Sequence, residues 1–149
     1  MSARRPAGTP PAARPAPIRD PYNGPFWDAL RAGVVRMPRC AGCGHVQFPM
    51  GPVCSECLGS DLAWTAVSGR GRVWGYAVYH HVFHPAFADE VPYNVAMIAL
   101  DEGPLIASNV VGVENDAIQA GMRVAAVFDE VDAQTTLLRF RPLAEEEEG

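Results

Sequence analysis

The sequence predicts a mainly β protein with a short N-terminal helix, a rubredoxin-like zinc ribbon and a small β-barrel. Two Cys-x-x-Cys pairs lie close together in residues 35–62, and runs of β-branched and aromatic residues alternate with turn signals from Leu62 onward. A stretch rich in proline and arginine precedes a single short amphipathic segment. The predicted parts are a disordered leader (1–21), a helix (22–34), the ribbon (35–62), the barrel (63–143) and an acidic tail (144–149).

The helix is predicted from its end signals. Asn23 is a suitable N-cap, Pro25 falls in the first turn and Gly33 lies just beyond the end. A helix this short is marginal alone and must dock, either on its own body or on another subunit. Three apolar side chains on one side would make that contact, and we expect them at a partner interface: Phe26, Trp27 and Leu30.

About five strands are predicted after the ribbon. Ala63–Val67 leads into a long strand that follows the Gly69–Gly71 turn, and Asp101–Pro104 is a plausible hairpin connection. A sheet of this size is stabilised by closing on itself as a barrel. The later predicted strands are Tyr93–Leu100, Leu105–Val111, Arg123–Phe128 and Thr135–Phe140, with one helical turn at Asn115–Gln119.

Composition excludes some functions. The 149 residues carry a formal charge of -5, and all basic residues are arginine. An acidic body is a poor ligand for a phosphate backbone, and both charged ends are expected to be solvated. No apolar run is long enough to span a membrane, and the N-terminus lacks the apolar core of a secretory signal. We therefore expect a cytoplasmic protein.

The four cysteines are predicted to bind one zinc ion. Two residues between the cysteines of each pair let the chain wrap one edge of a tetrahedral ion. The predicted ligands are Cys40, Cys43, Cys54 and Cys57. Disulfides, a redox pair and an iron site are alternatives that the spacing leaves open. Four sulfur ligands leave no open coordination position, so the metal is expected to be structural.

The sequence predicts no catalytic residue. His80, His81 and His84 are the main concentration of catalytic side-chain types, but neighbours on a strand point to opposite faces. Ser68 and Ser108 lie in no nucleophile motif, and the cysteines are committed to the metal. Surface or interface roles are therefore expected for the histidines.

From Pro25 to Pro142 the chain resembles the DUF35 family of zinc-ribbon and OB-fold proteins. The resemblance rests on the order and spacing of many short motifs as much as on the cysteines. These motifs are Pro25-Phe26-Trp27, the two cysteine pairs, Ser68-Gly69-Arg70-Gly71, His84-Pro85-Ala86-Phe87, Pro92-Tyr93-Asn94-Val95-Ala96, Leu100-Asp101-Glu102-Gly103, Asn109-Val110-Val111-Gly112, Gly121-Met122-Arg123-Val124 and Phe140-Arg141-Pro142.

The resemblance implies that the barrel is a five-stranded OB-fold and that the chain is a non-catalytic accessory subunit of an acyl-CoA carbon–carbon bond enzyme. Expected partners are a thiolase-like subunit, a lipid-transfer-protein-type aldolase or a MaoC-type hydratase. In some relatives the OB domain also helps hold coenzyme A. By this resemblance the candidate coenzyme contacts are Arg70, Arg72, Phe83, His84, Phe87 and Asn109.

OB-folds also bind single-stranded nucleic acid, which is the alternative function. Such binding needs a basic groove with stacking aromatic side chains. Trp74, Tyr76, Tyr79 and Phe83 are suitable aromatics, but few cations lie near them and the body is acidic. We therefore expect no nucleic-acid partner.

Overall fold

The structure is a computed structural model that describes residues 13–148. It is mainly β, as predicted, with one α-helix and short 3-10 turns. The elements are α1 (Gly24–Arg31), β1 (Val35–Cys40), β2 (Leu62–Val67), β3 (Arg70–Tyr79), β4 (Tyr93–Leu100), β5 (Leu105–Ser108), β6 (Arg123–Glu130) and β7 (Thr136–Pro142), with turns at Pro85–Phe87, Asn115–Ala117 and Glu145–Glu147. The described helices are all too short or too polar to cross a lipid bilayer.

Five antiparallel strands form one curled sheet in the order β5-β4-β3-β6-β7. The predicted strand at Leu105–Val111 is divided, because β5 ends at Ser108 and the chain then crosses to β7. There the Phe140 N–H donates to the Asn109 carbonyl at 3.0 Å, and the Val111 N–H donates to the Phe140 carbonyl at 2.8 Å. This parallel contact joins the two ends of the sheet.

The crossing is held by the buried side chain of Asn94 on β4. Its Oδ1 accepts from the Val110 N–H at 2.8 Å, and its Nδ2 donates to the Val110 carbonyl at 2.8 Å. The side-chain amide of Asn94 thus pairs with the backbone N–H and carbonyl of Val110, which lies beyond the end of β5, as a neighbouring strand would. An apolar residue at position 94 would leave both groups unpaired.

Strand β2 differs from its predicted position. Ala63–Val67 was expected to lead into the long barrel strand, but β2 pairs with β1 in a separate two-stranded sheet, from Val35 opposite Val67 to Cys40 opposite Leu62. The strand therefore belongs to the same sheet as the first metal-ligand cysteine. Alternating side chains identify a strand but do not identify its partner, which lies more than twenty residues away.

Helix α1 occupies the predicted segment and docks on its own chain. Phe26 and Leu30 are 4% and 1% exposed within the core, so these two side chains have almost no surface left for a partner. Their expected place at a subunit interface is corrected accordingly. Asn23 stands at the N-cap but makes no capping hydrogen bond, because its side chain accepts from the Asp20 N–H and donates to the Ile18 carbonyl.

One hydrophobic core joins the helix, the ribbon and the barrel. Strand β1 contributes Val35 and Met37, and the segment after it contributes Val46. The barrel contributes the rest of the fully enclosed side chains: Val73, Ala96, Ile98, Leu100, Ile106, Val110, Ile118, Val124 and Phe140. The ribbon is therefore packed on the barrel and is not an independent module.

Both charged ends contact the body where the structure describes them. Arg14 of the leader forms an ion pair with Glu90 at 2.5 Å, while residues 1–12 of the predicted leader lie outside the described residues. The acidic tail is largely exposed, as expected of a solvated end. It nevertheless forms a 3-10 turn in which Glu147 pairs with Arg141 of strand β7 at 3.1 Å.

The close approach of β3 to β4 requires a glycine at position 71. A Cβ built there would lie 2.4 Å from the Ala99 carbonyl oxygen, which is far inside contact distance. Gly75, on the same strand, has no atom within 4 Å of an added Cβ. The strand therefore has no room for a side chain at position 71 but has room for one at position 75.

We expect Gly71→Ala to lower the free energy of unfolding by about 2 kcal/mol or more, because the backbone must shift to relieve the overlap. Gly75→Ala is the matched control and is expected to change it by less than about 0.5 kcal/mol. Urea unfolding followed by far-UV circular dichroism measures both. Equal destabilisation of the two variants would contradict this account of the β3–β4 contact.

Candidate metal centre

Four cysteine sulfurs come together at the end of the ribbon. They all lie within 4.8 Å of one another, and the Sγ atoms of Cys40 and Cys57 and of Cys43 and Cys54 are each 3.6 Å apart. Four sulfurs about 2.3 Å from a tetrahedral zinc ion lie about 3.8 Å from each other. A disulfide needs about 2.05 Å, so the geometry fits a metal site and not two bridges.

The two cysteine pairs form similar loops. In the first, the Gly44 N–H donates to the Cys40 carbonyl at 2.8 Å, and in the second the Leu58 N–H donates to the Cys54 carbonyl at 2.9 Å. Both loops end in left-handed backbone, with φ of 77° at Gly44 and 63° at Leu58. Glycine adopts this conformation freely, whereas a leucine side chain is strained in it.

Backbone N–H groups prepare the site for thiolates. The N–H groups of Cys57 and Glu56 lower the pKa of Cys54 to about 6 against the opposing effect of burial. The His45 N–H also lowers the pKa of Cys43, but its neighbouring thiols and burial together raise that pKa to about 12. Crowded thiols resist full ionisation because their charges repel, and a divalent cation removes that repulsion.

Gln47 is a residue of this site that sequence reasoning missed. Its buried side chain donates to the Val53 carbonyl at 3.2 Å and accepts from the Ser55 N–H at 3.0 Å. These bonds tie the first cysteine loop to the start of the second. The sequence feature that could have indicated this role is the position of one polar residue between the apolar residues Val46 and Phe48.

The three clustered histidines make no catalytic arrangement in residues 13–148. His84 accepts a hydrogen bond from the Ala86 N–H at 3.1 Å through Nδ1 and so caps a 3-10 turn. His81 packs edge-on against Phe83, and His80 is exposed. In the described part of the chain, none of the three has a hydrogen bond to a serine hydroxyl or to a carboxylate that could orient it.

The candidate coenzyme contacts do not form a single site. Phe87 and Asn109 line a cavity of about 640 Å³, and leader residues 14–17 lie across it. His84 packs on Phe87, whereas Phe83 is exposed beyond the cavity. The other two candidates, Arg70 and Arg72, lie at the opposite end of β3 from the loop that carries the aromatic residues.

Three candidate side chains already have partners in their own chain. Arg70 donates to the Glu147 carbonyl at 2.8 Å, and Arg72 donates to the Gly121 carbonyl at 3.0 Å. Asn109 accepts from Arg139 at 2.6 Å. The helix residue Trp27 is partly buried on the core, and its Nε1–H is the one enclosed side-chain donor in residues 13–148 without a partner.

The described residues therefore define a class of protein, a four-cysteine ribbon packed on an OB-type barrel. Two family models match in the same order: "ChsH2, rubredoxin-like zinc ribbon domain" over residues 27–63 and "ChsH2, C-terminal OB-fold domain" over residues 64–129. The chain belongs to the DUF35 family, as the resemblance predicted.

Individual relatives agree with this assignment. A "Probable enoyl-CoA hydratase alpha subunit" of Thermomonospora curvata is 38% identical over 94% of this chain, which spans only 43% of that protein. A "DUF35 domain-containing scaffold protein" of Methanocaldococcus jannaschii is 36% identical over 60% of this chain and 64% of its own length. A solved "Ltp2-ChsH2(DUF35) aldolase" chain is 37% identical, with a TM-score of 0.78 over 85% of this chain and 98% of that one.

We expect the reduced, purified protein to contain one zinc ion per chain. Cys40→Ser or Cys57→Ser should abolish zinc retention and unfold the ribbon, because structural zinc contributes on the order of 10 kcal/mol to folding. Elemental analysis measures the metal, and amide exchange of β1 and β2 measures the folding. A metal-free preparation with protected ribbon amides, or one loaded with iron, would refute the zinc assignment.

Gln47→Ala should weaken zinc retention about tenfold, since second-layer contacts of this kind typically change metal affinity by that factor or more. It also leaves the Val53 carbonyl and the Ser55 N–H unpaired. Competition with a chromogenic chelator gives the affinity. Gln119→Ala is the matched control because Gln119 is exposed and distant in sequence from the cysteines. Equal chelator sensitivity of the two variants would remove Gln47 from the site.

Proposed function

We propose that the chain is a non-catalytic accessory subunit of an acyl-CoA carbon–carbon bond enzyme of the thiolase or retro-aldolase type, acting in the cytoplasm. Its role is to stabilise the catalytic partner and to contribute to coenzyme A binding. The names of its relatives support this assignment, since they include a hydratase alpha subunit, a scaffold protein and an aldolase complex. A MaoC-type hydratase is the other partner class consistent with those names.

The main structural support for this proposal is the C-terminal half of β3, Trp74–Tyr79. Strand β6 pairs with Arg70–Arg72, and in the described structure no strand pairs with Trp74–Tyr79 on that side. The aromatic residues of this half and of the loop after it are 36–68% exposed: Trp74, Tyr76, Tyr79 and Phe83. Tyr76 stands opposite Ala96 and Tyr79 opposite Tyr93, so these side chains lie on both faces of the strand edge. We call the four the aromatic ridge. Exposed aromatic groups beside free backbone groups are typical of a surface that another protein covers.

The metal centre supports an accessory role. Four thiolates would saturate a tetrahedral zinc ion, so no position remains for a water or a thioester oxygen. Zinc bound by Cys40, Cys43, Cys54 and Cys57 would supply folding energy and no Lewis acid. The reacting groups would then belong to the partner subunit.

Coenzyme binding is proposed at the cavity beside the aromatic ridge. Phe87 and Asn109 line it together with Tyr93 and Leu137, which suits a ligand with apolar and amide portions. Arg139 lines it too, although Asp129 pairs with that guanidinium at 2.6 Å. Arg70 and Arg72 are not included, because they lie at the other end of β3.

The test is to produce this chain and a thiolase- or aldolase-type subunit from the same organism, separately and together, and to assay acyl-CoA cleavage. We expect turnover only from the complex. Trp74→Ala should raise the dissociation constant of the complex about 30-fold, since a central aromatic anchor contributes about 2 kcal/mol. Tyr22→Ala is the control, because Tyr22 is also an exposed aromatic residue but lies before α1.

Turnover by this chain alone, or a fully active partner without it, would contradict the proposal. So would submicromolar binding of a single-stranded oligonucleotide that weakens steeply with salt, which would instead favour the nucleic-acid function. An equal loss of partner affinity in Trp74→Ala and Tyr22→Ala would remove the aromatic ridge from the interface.

A further inference from the structure

Four of the twelve arginines lie on one outer face of the barrel, at the end opposite the aromatic ridge. Ala125 on β6 stands directly opposite Arg70 on β3 and directly opposite Arg141 on β7. Arg72 likewise stands opposite Arg123. Directly opposed residues of neighbouring strands share a face, so all four guanidinium groups leave the sheet on the same side.

Two of these arginines are held by the barrel itself. Arg123 forms a bidentate pair with Asp101, at 2.6 and 3.1 Å. Arg72 donates to the Gly121 carbonyl at 3.0 Å. Arg123 would have to lose its ion pair before it bound another anion, whereas Arg72 uses only one of its five N–H donors in its contact.

The other two are joined by the C-terminal turn. Both terminal nitrogens of Arg141 donate to the carboxylate of Glu147 at 3.1 Å, and one of them also reaches the Pro142 carbonyl at 3.3 Å. Arg70 donates to the Glu147 main-chain carbonyl at 2.8 Å. A single residue near the end of the chain therefore meets two cations that lie two strands apart.

The groups that surround Glu147 have the properties of an anion site. Its carboxylate also accepts the Ala144 N–H at 3.0 Å. Hydrogen bonds from Arg141 and from Ala144 lower the pKa of Glu147 to about 2, so the group is ionised at neutral pH. The side chains of Arg141 and Glu147 are still 44% and 40% exposed. Exposed ion pairs are weak, so an anion from solution can compete for these donors.

We propose that Arg70 and Arg141 form a binding site for the phosphate group of a small phosphoester, and that Glu147 occupies this site in the free chain. A phosphate has three oxygens and up to two charges, compared with two oxygens and one charge for a carboxylate, and it matches the fork of an arginine. The acidic tail is then an internal competitor that such a ligand displaces. The proposal does not depend on the accessory-subunit function.

Inorganic pyrophosphate is the probe. It is titrated into the zinc-loaded full chain and into Glu147→Gln by calorimetry at low salt. Removing the competing carboxylate should tighten pyrophosphate binding about three- to tenfold. Glu145→Gln is the matched control, because it removes the same charge from the same turn while the arginines contact Glu147. We expect it to bind like the wild type.

Two arginine variants locate the site. In the Glu147→Gln chain, adding Arg70→Ala or Arg141→Ala should remove the gain, whereas Arg36→Ala, an exposed arginine of β1, should leave it unchanged. Saturating pyrophosphate should also shift the amide NMR resonances of Ala144 and Glu147 in the wild-type chain. This measurement does not depend on whether any variant folds.

The proposal is overturned by the absence of pyrophosphate binding to Glu147→Gln, by an equal gain in both glutamine variants, or by unmoved Ala144 and Glu147 amides at saturation. An equal gain would mean that only the net charge of the tail matters. Zinc content and the melting temperature of each variant verify that the fold is intact.

Discussion

The four-sulfur cluster is the main interaction that orders residues 41–61 of the ribbon. Residues 41–61 contain no strand or helix, and their side chains are mostly exposed. Cys40 and Cys54 are nevertheless fully buried. Because Cys40 ends β1, the cluster also fixes the strand that carries Val35 and Met37 into the core of the barrel. The metal site and the barrel core therefore stabilise one structure and not two.

The parts predicted from sequence are those whose partners lie nearby along the chain. The cysteine pairs, the hairpin at Asp101–Pro104 and the bounds of α1 depend on spacing and on turn residues. The pairing of β2 with β1 and the crossing at Asn109 depend on contacts between residues that are far apart in the sequence, and local patterns do not predict such contacts. Sequence periodicity contains no information on which of two possible neighbours a strand chooses.

The same limit applies to the candidate binding residues. Arg70 and Arg72 are plausible coenzyme ligands by residue type, but the structure places both at the end of β3 opposite the loop that carries the aromatic candidates. Phe26 and Leu30 are plausible interface residues by amphipathicity, but their own core encloses them. Side-chain chemistry can be read from a sequence, whereas the occupancy of each donor or apolar face depends on the folded neighbourhood.

Strand β3 contains a β-bulge that affects how copies of the chain can associate with one another. The pairing of β3 with β4 shifts register between Val73 and Gly75, which leaves Trp74 as an extra residue in the strand. A bulge of this kind bends the strand and interrupts the regular spacing of its free backbone groups. Copies of the chain then cannot stack side by side along the whole of β3, so aggregation into fibres is opposed by the backbone itself.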